Sequence, residues 1–150
     1  MKKFQFSLDT VLSYKQQALD ALKGEHADII AQVRAQEAVL EAVWQEYRDC
    51  DAEYTQRKAE GITITDALVY QNGLRVLERN IQRETDKLEE LRRKEEKKRQ
   101  EVVDAKIDTS SIEQLKEHKL EDYNKAVQTD EEKLIDEFVS SAQARANIGA

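Results

Sequence analysis

The sequence predicts an all-α protein in which two long helices form an antiparallel coiled-coil hairpin. The 150 residues contain no proline and only four glycines, so almost nothing in the chain interrupts a helix. Apolar residues recur at alternating spacings of three and four, the pattern of a coiled coil. Aromatic residues make up only 6% of the chain, which suits a narrow seam between helices better than a deep core.

The first helix is predicted over about residues 7–59. Ser7 is a suitable N-cap, and Asp9 in the first turn lies at the positive end of the helix dipole. A heptad pattern then runs without a break, and eleven of its fourteen positions are apolar. We call these positions the seam of the first helix: Leu8, Leu12, Lys15, Leu19, Leu22, His26, Ile29, Val33, Gln36, Leu40, Val43, Tyr47, Cys50 and Tyr54.

The turn is predicted at about residues 60–65. Gly61 can adopt the left-handed conformation that closes a helix. The β-branched residues that follow disfavour helix, and Thr63 or Thr65 can cap the next one.

The second helix is predicted over about residues 66–146, so that residues 1–150 form a single domain. It resumes the heptad pattern, and eight of eleven seam positions are apolar. These positions are Tyr70, Leu74, Leu77, Ile81, Glu84, Leu88, Leu91, Glu95, Lys98, Val102 and Ala105.

The late part of the second helix departs from this pattern. After residue 105 we expect an eleven-residue repeat through Ile112, Tyr123 and Leu134, with a soft spot at residues 109–111. Folding about residue 62 sets residue n roughly opposite residue 124 − n, so Leu40 should meet Glu84. The second helix outreaches the first, and residues 121–146 should project without an internal partner. An apolar stripe there indicates a binding partner.

Charge and composition exclude several classes of function. The net charge of −7 disfavours nucleic acid as a general partner. A single cysteine, Cys50, makes no internal disulfide and suits a reducing compartment. The apolar runs are too short to span a membrane, and the first residues do not resemble a secretory signal. We therefore expect a protein of the cytoplasm that does not insert in the membrane.

The sequence contains no pattern typical of catalysis. His26 and His118 are far apart, and no histidine pairs with Cys50 to form a nucleophile. No cysteine or histidine cluster has metal-ligand spacing, and no glycine-rich phosphate loop is present. We therefore predict no catalytic, metal or cofactor-binding residues.

One dense charge run has two interpretations. Ion pairs spaced three or four apart along a solvated helix explain it without any function. The alternative is a basic band that binds an acidic partner surface. The basic residues of this possible interface are Arg92, Arg93, Lys94, Lys97, Lys98 and Arg99.

Four segments together resemble the FliJ family, the soluble coiled-coil component of the bacterial flagellar type III export apparatus. They are Phe4-x-Phe6-x-Leu8-x-x-Val11-Leu12, the turn and restart from Gly61 to Ile81, Ile112 to Glu117 followed by Tyr123, and Glu132 to Phe138. The match spans nearly the full chain in order.

The resemblance implies a stalk that inserts its joined terminal ends into the ring of the export ATPase and promotes its activity. It also implies contacts with the membrane-embedded export gate protein and with export chaperones. The implied location is the inner face of the membrane at the flagellar base, and we expect a monomer when the chain is free. The implied ATPase-binding residues are Phe4, Phe6, Leu8, Leu134, Asp136, Glu137 and Phe138.

The same resemblance implies a gate-binding surface on both helices near the turn. Its residues are Gln36, Leu40, Val43, Tyr47 and Leu77. Gly73 and Glu84 depart from the family pattern on this face, because one lacks a bulky apolar side chain and the other adds a charge.

Three other functions stay open from sequence. A generic coiled-coil protein would self-associate through the stripe from Tyr123 to Phe138. A nucleic-acid-binding rod would use the run from Arg92 to Arg99, against the overall charge. The equivalent stalk of a virulence secretion system is the third, and the N-terminal Phe-x-Phe pattern favours the flagellum.

Overall fold

A computed structural model describes residues 2–149, which form two α-helices and no strand. Helix α1 is Asp9–Glu60 and has 52 residues, and helix α2 is Ile64–Ile148 and has 85. The two helices pack against each other, which confirms the predicted all-α hairpin with a longer second helix. Each boundary lies within two residues of the predicted helix ends.

The turn between the helices depends on Gly61 and Thr63. Gly61 has a φ of 102°, a backbone conformation that residues with a Cβ rarely adopt. Thr63 Oγ1 accepts a hydrogen bond from the Asp66 amide at 3.1 Å, and the Thr63 carbonyl accepts one from the Ala67 amide at 2.9 Å. Thr63 is therefore the N-cap of α2, one of the two threonines that the sequence proposes.

The start of α1 differs by one residue from the prediction. The Leu12 amide donates to the Leu8 carbonyl at 2.8 Å, and the residue that accepts this first bond is the N-cap. Leu8 therefore holds the N-cap position that we predicted for Ser7. The Asp9 amide donates to the Phe6 carbonyl at 3.1 Å, so a tight turn leads into the helix.

The chain divides into two compact units. The central unit is Asp20–Asp104, and the terminal unit combines Met1–Leu19 with Ala105–Ala150. The prediction of a single domain stays a prediction.

In the central unit, residues late in α1 contact residues early in α2, and earlier residues of α1 contact later residues of α2. Tyr54 stacks on Tyr70 with ring centroids 5.3 Å apart, and His26 Nε2 lies 2.8 Å from Glu95 Oε1. This reversed order shows that the helices are antiparallel. Tyr54, Ile81 and Leu88 are the buried apolar residues of this unit.

In the terminal unit, the first residues of α1 pack on α2 in the same antiparallel sense. Lys116 Nζ lies 2.7 Å from Asp9 Oδ1, and Gln16 Nε2 donates to Glu113 Oε1 at 3.1 Å. The buried apolar side chains here are Phe6, Leu12 and Leu19.

Helix α2 continues without a break through residues 109–111. The Thr109 hydroxyl donates to the Ala105 carbonyl at 2.8 Å, and the Ser111 hydroxyl to the Ile107 carbonyl at 2.9 Å. These bonds satisfy the hydroxyl groups without opening the helix. Thr109 is the most buried of the core residues at 3% exposure, so the expected soft spot is packed. The contact face continues through residues 112, 116, 123 and 127. Tyr123 contacts Phe4 and Lys2, which corrects the prediction that residues 121–146 project without an internal partner. Leu134 is exposed, as expected.

Candidate partner-binding surfaces

The N-terminal strap, residues 2–8, lies along α2 in the terminal unit. The Phe4 ring packs on the Tyr123 ring with centroids 5.5 Å apart and planes tilted by 50°. The Tyr123 hydroxyl donates to the Lys2 carbonyl at 2.7 Å. Phe6 is buried, because the strap presses its ring towards the helices. A non-helical segment is therefore held by one aromatic pair, one hydrogen bond and one buried ring.

An open groove of about 630 Å³ runs beside the strap. Lys2, Lys3 and Lys119 line it together with Phe4 and Tyr123. Asp122 is the one carboxylate of the lining, so the charge of the groove is mostly positive. The groove therefore suits a partner that offers both carboxylates and apolar side chains.

The last part of α2 carries exposed apolar side chains that nothing in the terminal unit covers. We call Leu134, Ile135, Phe138 and Val139 the tail stripe. Leu134 is 65% exposed and Phe138 is 75% exposed. Asp136 and Glu137 lie in the same segment and are exposed too. An uncovered apolar stripe rimmed by carboxylates is typical of a protein interface.

The structure separates the residues implied for ATPase binding into two groups. Phe4, Phe6 and Leu8 belong to the strap, where Phe6 is buried and the other two are half-buried. Leu134, Asp136, Glu137 and Phe138 begin eleven residues beyond Tyr123, which is about 16 Å along an α-helix. The structure does not bring the two groups together, and only the second group is freely exposed.

The five residues implied for gate binding lie in the central unit, along the seam. Gln36, Leu40, Val43, Tyr47 and Leu77 are all half-buried. Sequence reasoning missed exposed apolar side chains beside them, such as Val39 and Val76. A helical wheel would identify these residues, because each lies next to a seam position rather than on it.

Glu84 is a buried carboxylate in this seam, with 8% exposure. Gln36 Nε2 donates to Glu84 Oε2 at 2.6 Å and to the Glu84 carbonyl at 3.1 Å. The hydrogen bond from Gln36 lowers the pKa of Glu84, and the nearby Lys87 and Arg83 act in the same direction against the effect of burial. Gln36 lies one helical turn before Leu40, the residue expected roughly opposite Glu84.

The basic run is largely paired within the central unit. Arg92 lies 3.3 Å from Glu37, Lys94 lies 3.7 Å from Glu90, and Arg99 pairs with Glu96. Lys98 lies 2.8 Å from Glu101 and 2.9 Å from Glu25, and these hydrogen bonds raise the pKa of Lys98. Arg93 and Lys97 are exposed, with no ion pair among residues 2–149. This pairing favours the interpretation of a solvated helix face.

Within residues 2–149, no group of three or more His, Cys, Asp and Glu side chains is arranged to hold a metal ion. His26 contacts Glu95 in the seam, and Cys50 is half-buried beside Gly73.

The family comparison decides the identity of the chain. The FliJ family model, described as "Flagellar FliJ protein", matches residues 4–147. The chain belongs to the FliJ family. No curated protein and no solved structure matches the sequence of this FliJ-family chain.

FliJ membership makes the chain a component of the flagellar export apparatus, and the family is one of export components rather than a known enzyme family. It favours the flagellum over the virulence secretion system. In the part of the chain that the structure describes, no helix is long and apolar enough to cross a bilayer.

Proposed function

We propose that this FliJ-family chain is a non-enzymatic stalk of the flagellar export apparatus. In this proposal its terminal unit enters the ring of the export ATPase and promotes ATP hydrolysis. The central unit binds the export gate protein at the inner face of the cell membrane, and the chain also meets export chaperones.

One observation carries this proposal: the tail stripe is apolar, helical and uncovered. Every residue from 128 to 149 is exposed, so the apolar residues of this segment gain burial only against another molecule. The groove beside the strap adds a second contact surface to the same unit. Together they offer a ring an apolar stripe with carboxylates and an aromatic groove with lysines.

The mechanism is differential contact. A stalk changes the activity of a ring only if it binds one conformation of the ring subunits better than another. The tail stripe meets this requirement through burial of Phe138 and Leu134, because apolar contacts are lost when subunits move apart.

The test is a titration of the purified chain into the cognate export ATPase. The wild-type chain should raise the rate of ATP hydrolysis, and the Leu134→Ser/Phe138→Ser variant should lose most of this effect. Ile107→Ser is the matched control, because Ile107 is an exposed apolar residue of α2 outside the stripe. A flat hydrolysis rate with wild-type chain would remove the proposal.

The gate contact needs its own test, because its residues also pack the seam. Tyr47 is half-buried, and its hydroxyl lies 3.5 Å from Glu78. We expect Tyr47→Ala to weaken binding to the purified cytoplasmic part of the gate protein. Tyr14→Ala should not weaken it, since Tyr14 is 70% exposed and lies in the other unit. Circular dichroism checks that both variants stay helical.

A further inference from the structure

A second exposed surface, on the solvent side of α2 near the turn, combines apolar and basic side chains. Its apolar members are well exposed, with Ile64 at 83% and Val69 at 65%. With 3.6 residues per turn, its positions from residue 64 to residue 83 fall on an arc of about 140°. We call this surface the arginine face: Ile64, Leu68, Val69 and Val76 with Arg75, Arg79 and Arg83.

No Asp or Glu lies on this arc between residues 64 and 83; its other positions are Thr65, Asn72 and Gln82. This is unusual for a chain with a net charge of −7. A basic and apolar helix face selects a partner helix that is acidic and apolar.

The tail stripe has this complementary chemistry. Residues 130–139 contain five carboxylates and one lysine around the four apolar side chains of the stripe. Two tail stripes would repel each other, since each brings a net negative charge to the contact. Two arginine faces would repel each other for the same reason with the opposite sign. Charge therefore favours only the mixed pairing of one stripe with one arginine face.

We propose that the arginine face is a docking site for the tail stripe of a second copy of this chain. An antiparallel alignment that sets Ile135 against Val69 places Asp130 and Glu131 beside Arg75. This alignment also sets Lys125 against Arg79, but it sets Glu121 against Arg83. The parallel alignment would set Arg145 against Arg79 and would set no carboxylate directly against an arginine of the face. The contact is antiparallel for this reason.

The size of the two faces determines the strength of the association. About three helical turns from each copy bury less than the ~1,200 Å² of a stable complex. The association is therefore weak and depends on concentration. At low concentration the free chain is the monomer that the sequence predicts, and larger species form as the concentration rises. This inference does not depend on the proposed function.

Sedimentation velocity over a wide concentration range tests the proposal with the full chain. The mass of the wild-type chain should rise with concentration above 17.4 kDa, and less so at high salt. Arg75→Glu/Arg79→Glu removes the arginine face but keeps the stripe. Leu134→Ser/Phe138→Ser removes the stripe but keeps the face. Each variant alone should stay monomeric.

Mixing the two variants in equal amounts is the decisive step. The first variant supplies an intact stripe and the second an intact arginine face, so one copy of each should form a heterodimer. The heterodimer has no further pair of intact surfaces, so no larger species should form. A wild-type mass that never rises overturns the proposal. Association of either variant alone also overturns it, because that result shows pairing of two like surfaces. All four substitutions are at exposed positions, and circular dichroism confirms that the variants fold.

Discussion

The side-chain amide of Gln36 lies 2.6 Å from Oε2 of Glu84. This bond explains how a carboxylate is accommodated at a seam position between two helices. The same amide also reaches the Glu84 carbonyl at 3.1 Å, so both groups on Glu84 are satisfied by one partner. A charge that looks misplaced in the sequence is therefore paired in the fold.

We expect the contribution of Glu84 to stability to disappear in acid. Its pKa is lowered in the folded chain by Gln36, Lys87 and Arg83. A carboxyl with a lowered folded pKa stabilises the fold above its unfolded pKa and loses this effect as the pH falls through the folded pKa. The free energy of unfolding should therefore fall more steeply with acid in the wild-type chain than in Glu84→Gln.

Urea unfolding from about pH 7 to about pH 3 measures this difference. The hydrogen bond from Lys98 also lowers the pKa of Glu101. This pair is present in both proteins, so its effect on the free energy of unfolding cancels in the comparison. If the free energy of unfolding depends on pH in the same way in wild type and Glu84→Gln, the pKa of Glu84 does not differ between the folded and unfolded chain.

The second prediction concerns the glycines. The backbone conformation at each glycine determines whether alanine raises or lowers the free energy of unfolding. A Cβ on Gly24 meets nothing within 4 Å, and one on Gly73 meets only Cys50 Sγ at 3.9 Å. Gly24→Ala and Gly73→Ala should each stabilise the protein by about 1 kcal/mol, because alanine favours helix. Gly61→Ala should destabilise it by about 1–2 kcal/mol, because φ is positive there.

Thermal or urea unfolding of the three alanine variants is the measurement. Gly61→Ala is the internal control, since the change in composition is the same. Equal effects at all three sites would contradict the role of backbone conformation.

Thr109 gives a third prediction. Its hydroxyl donates to the Ala105 carbonyl of its own helix, and the side chain is buried. Thr109→Val keeps the shape and replaces the hydroxyl by a methyl, so it should stabilise the fold by about 0.5–1 kcal/mol. Thr129→Val is the matched control, because Thr129 makes the same bond to Lys125 on an exposed face. Its unfolding free energy should change by less than about 0.5 kcal/mol.

The strap gives a fourth prediction. Tyr123→Phe removes the bond to the Lys2 carbonyl, and Tyr123→Ala also removes the ring that packs on Phe4. The Asp9 amide, bonded to the Phe6 carbonyl, should exchange its hydrogen faster in both variants and fastest in Tyr123→Ala. Removal of the Tyr123 hydroxyl should lower the free energy of opening the strap by about 0.5–1.5 kcal/mol.

Tyr14→Phe is the control for this experiment, because Tyr14 is an exposed tyrosine of the same unit. Unchanged exchange at Asp9 in Tyr123→Ala would show that the strap does not depend on this contact.

Much of the fold follows from periodicity and from Gly61. The three- and four-residue spacing identifies which residues face the seam, and a glycine with few competitors identifies the turn. Periodicity does not determine which polar groups pair across the seam, since long side chains reach one turn further. Gln36 therefore bonds Glu84 from one helical turn before Leu40, the residue expected roughly opposite it. The strap was also beyond prediction, because a non-helical segment has no helical period to follow.

Of the candidate surfaces, too, one could be predicted from the sequence and one could not. The tail stripe was predictable, since the second helix is much longer than the first and its apolar residues have no facing chain. The arginine face was not, because the heptad pattern points to seam positions and these residues lie on the opposite side of α2. Its signal is the absence of carboxylates over an arc of an otherwise acidic chain.

The final turns of α2 carry a thermodynamic consequence. Residues 128–149 bury no side chain, so this stretch keeps its shape only through its own backbone bonds and short-range pairs such as Gln128 with Glu132. Helices supported in this way are marginal in water. A molecule that binds this segment must therefore keep it helical. Calorimetry of the binding should show an unfavourable entropy together with a negative change in heat capacity.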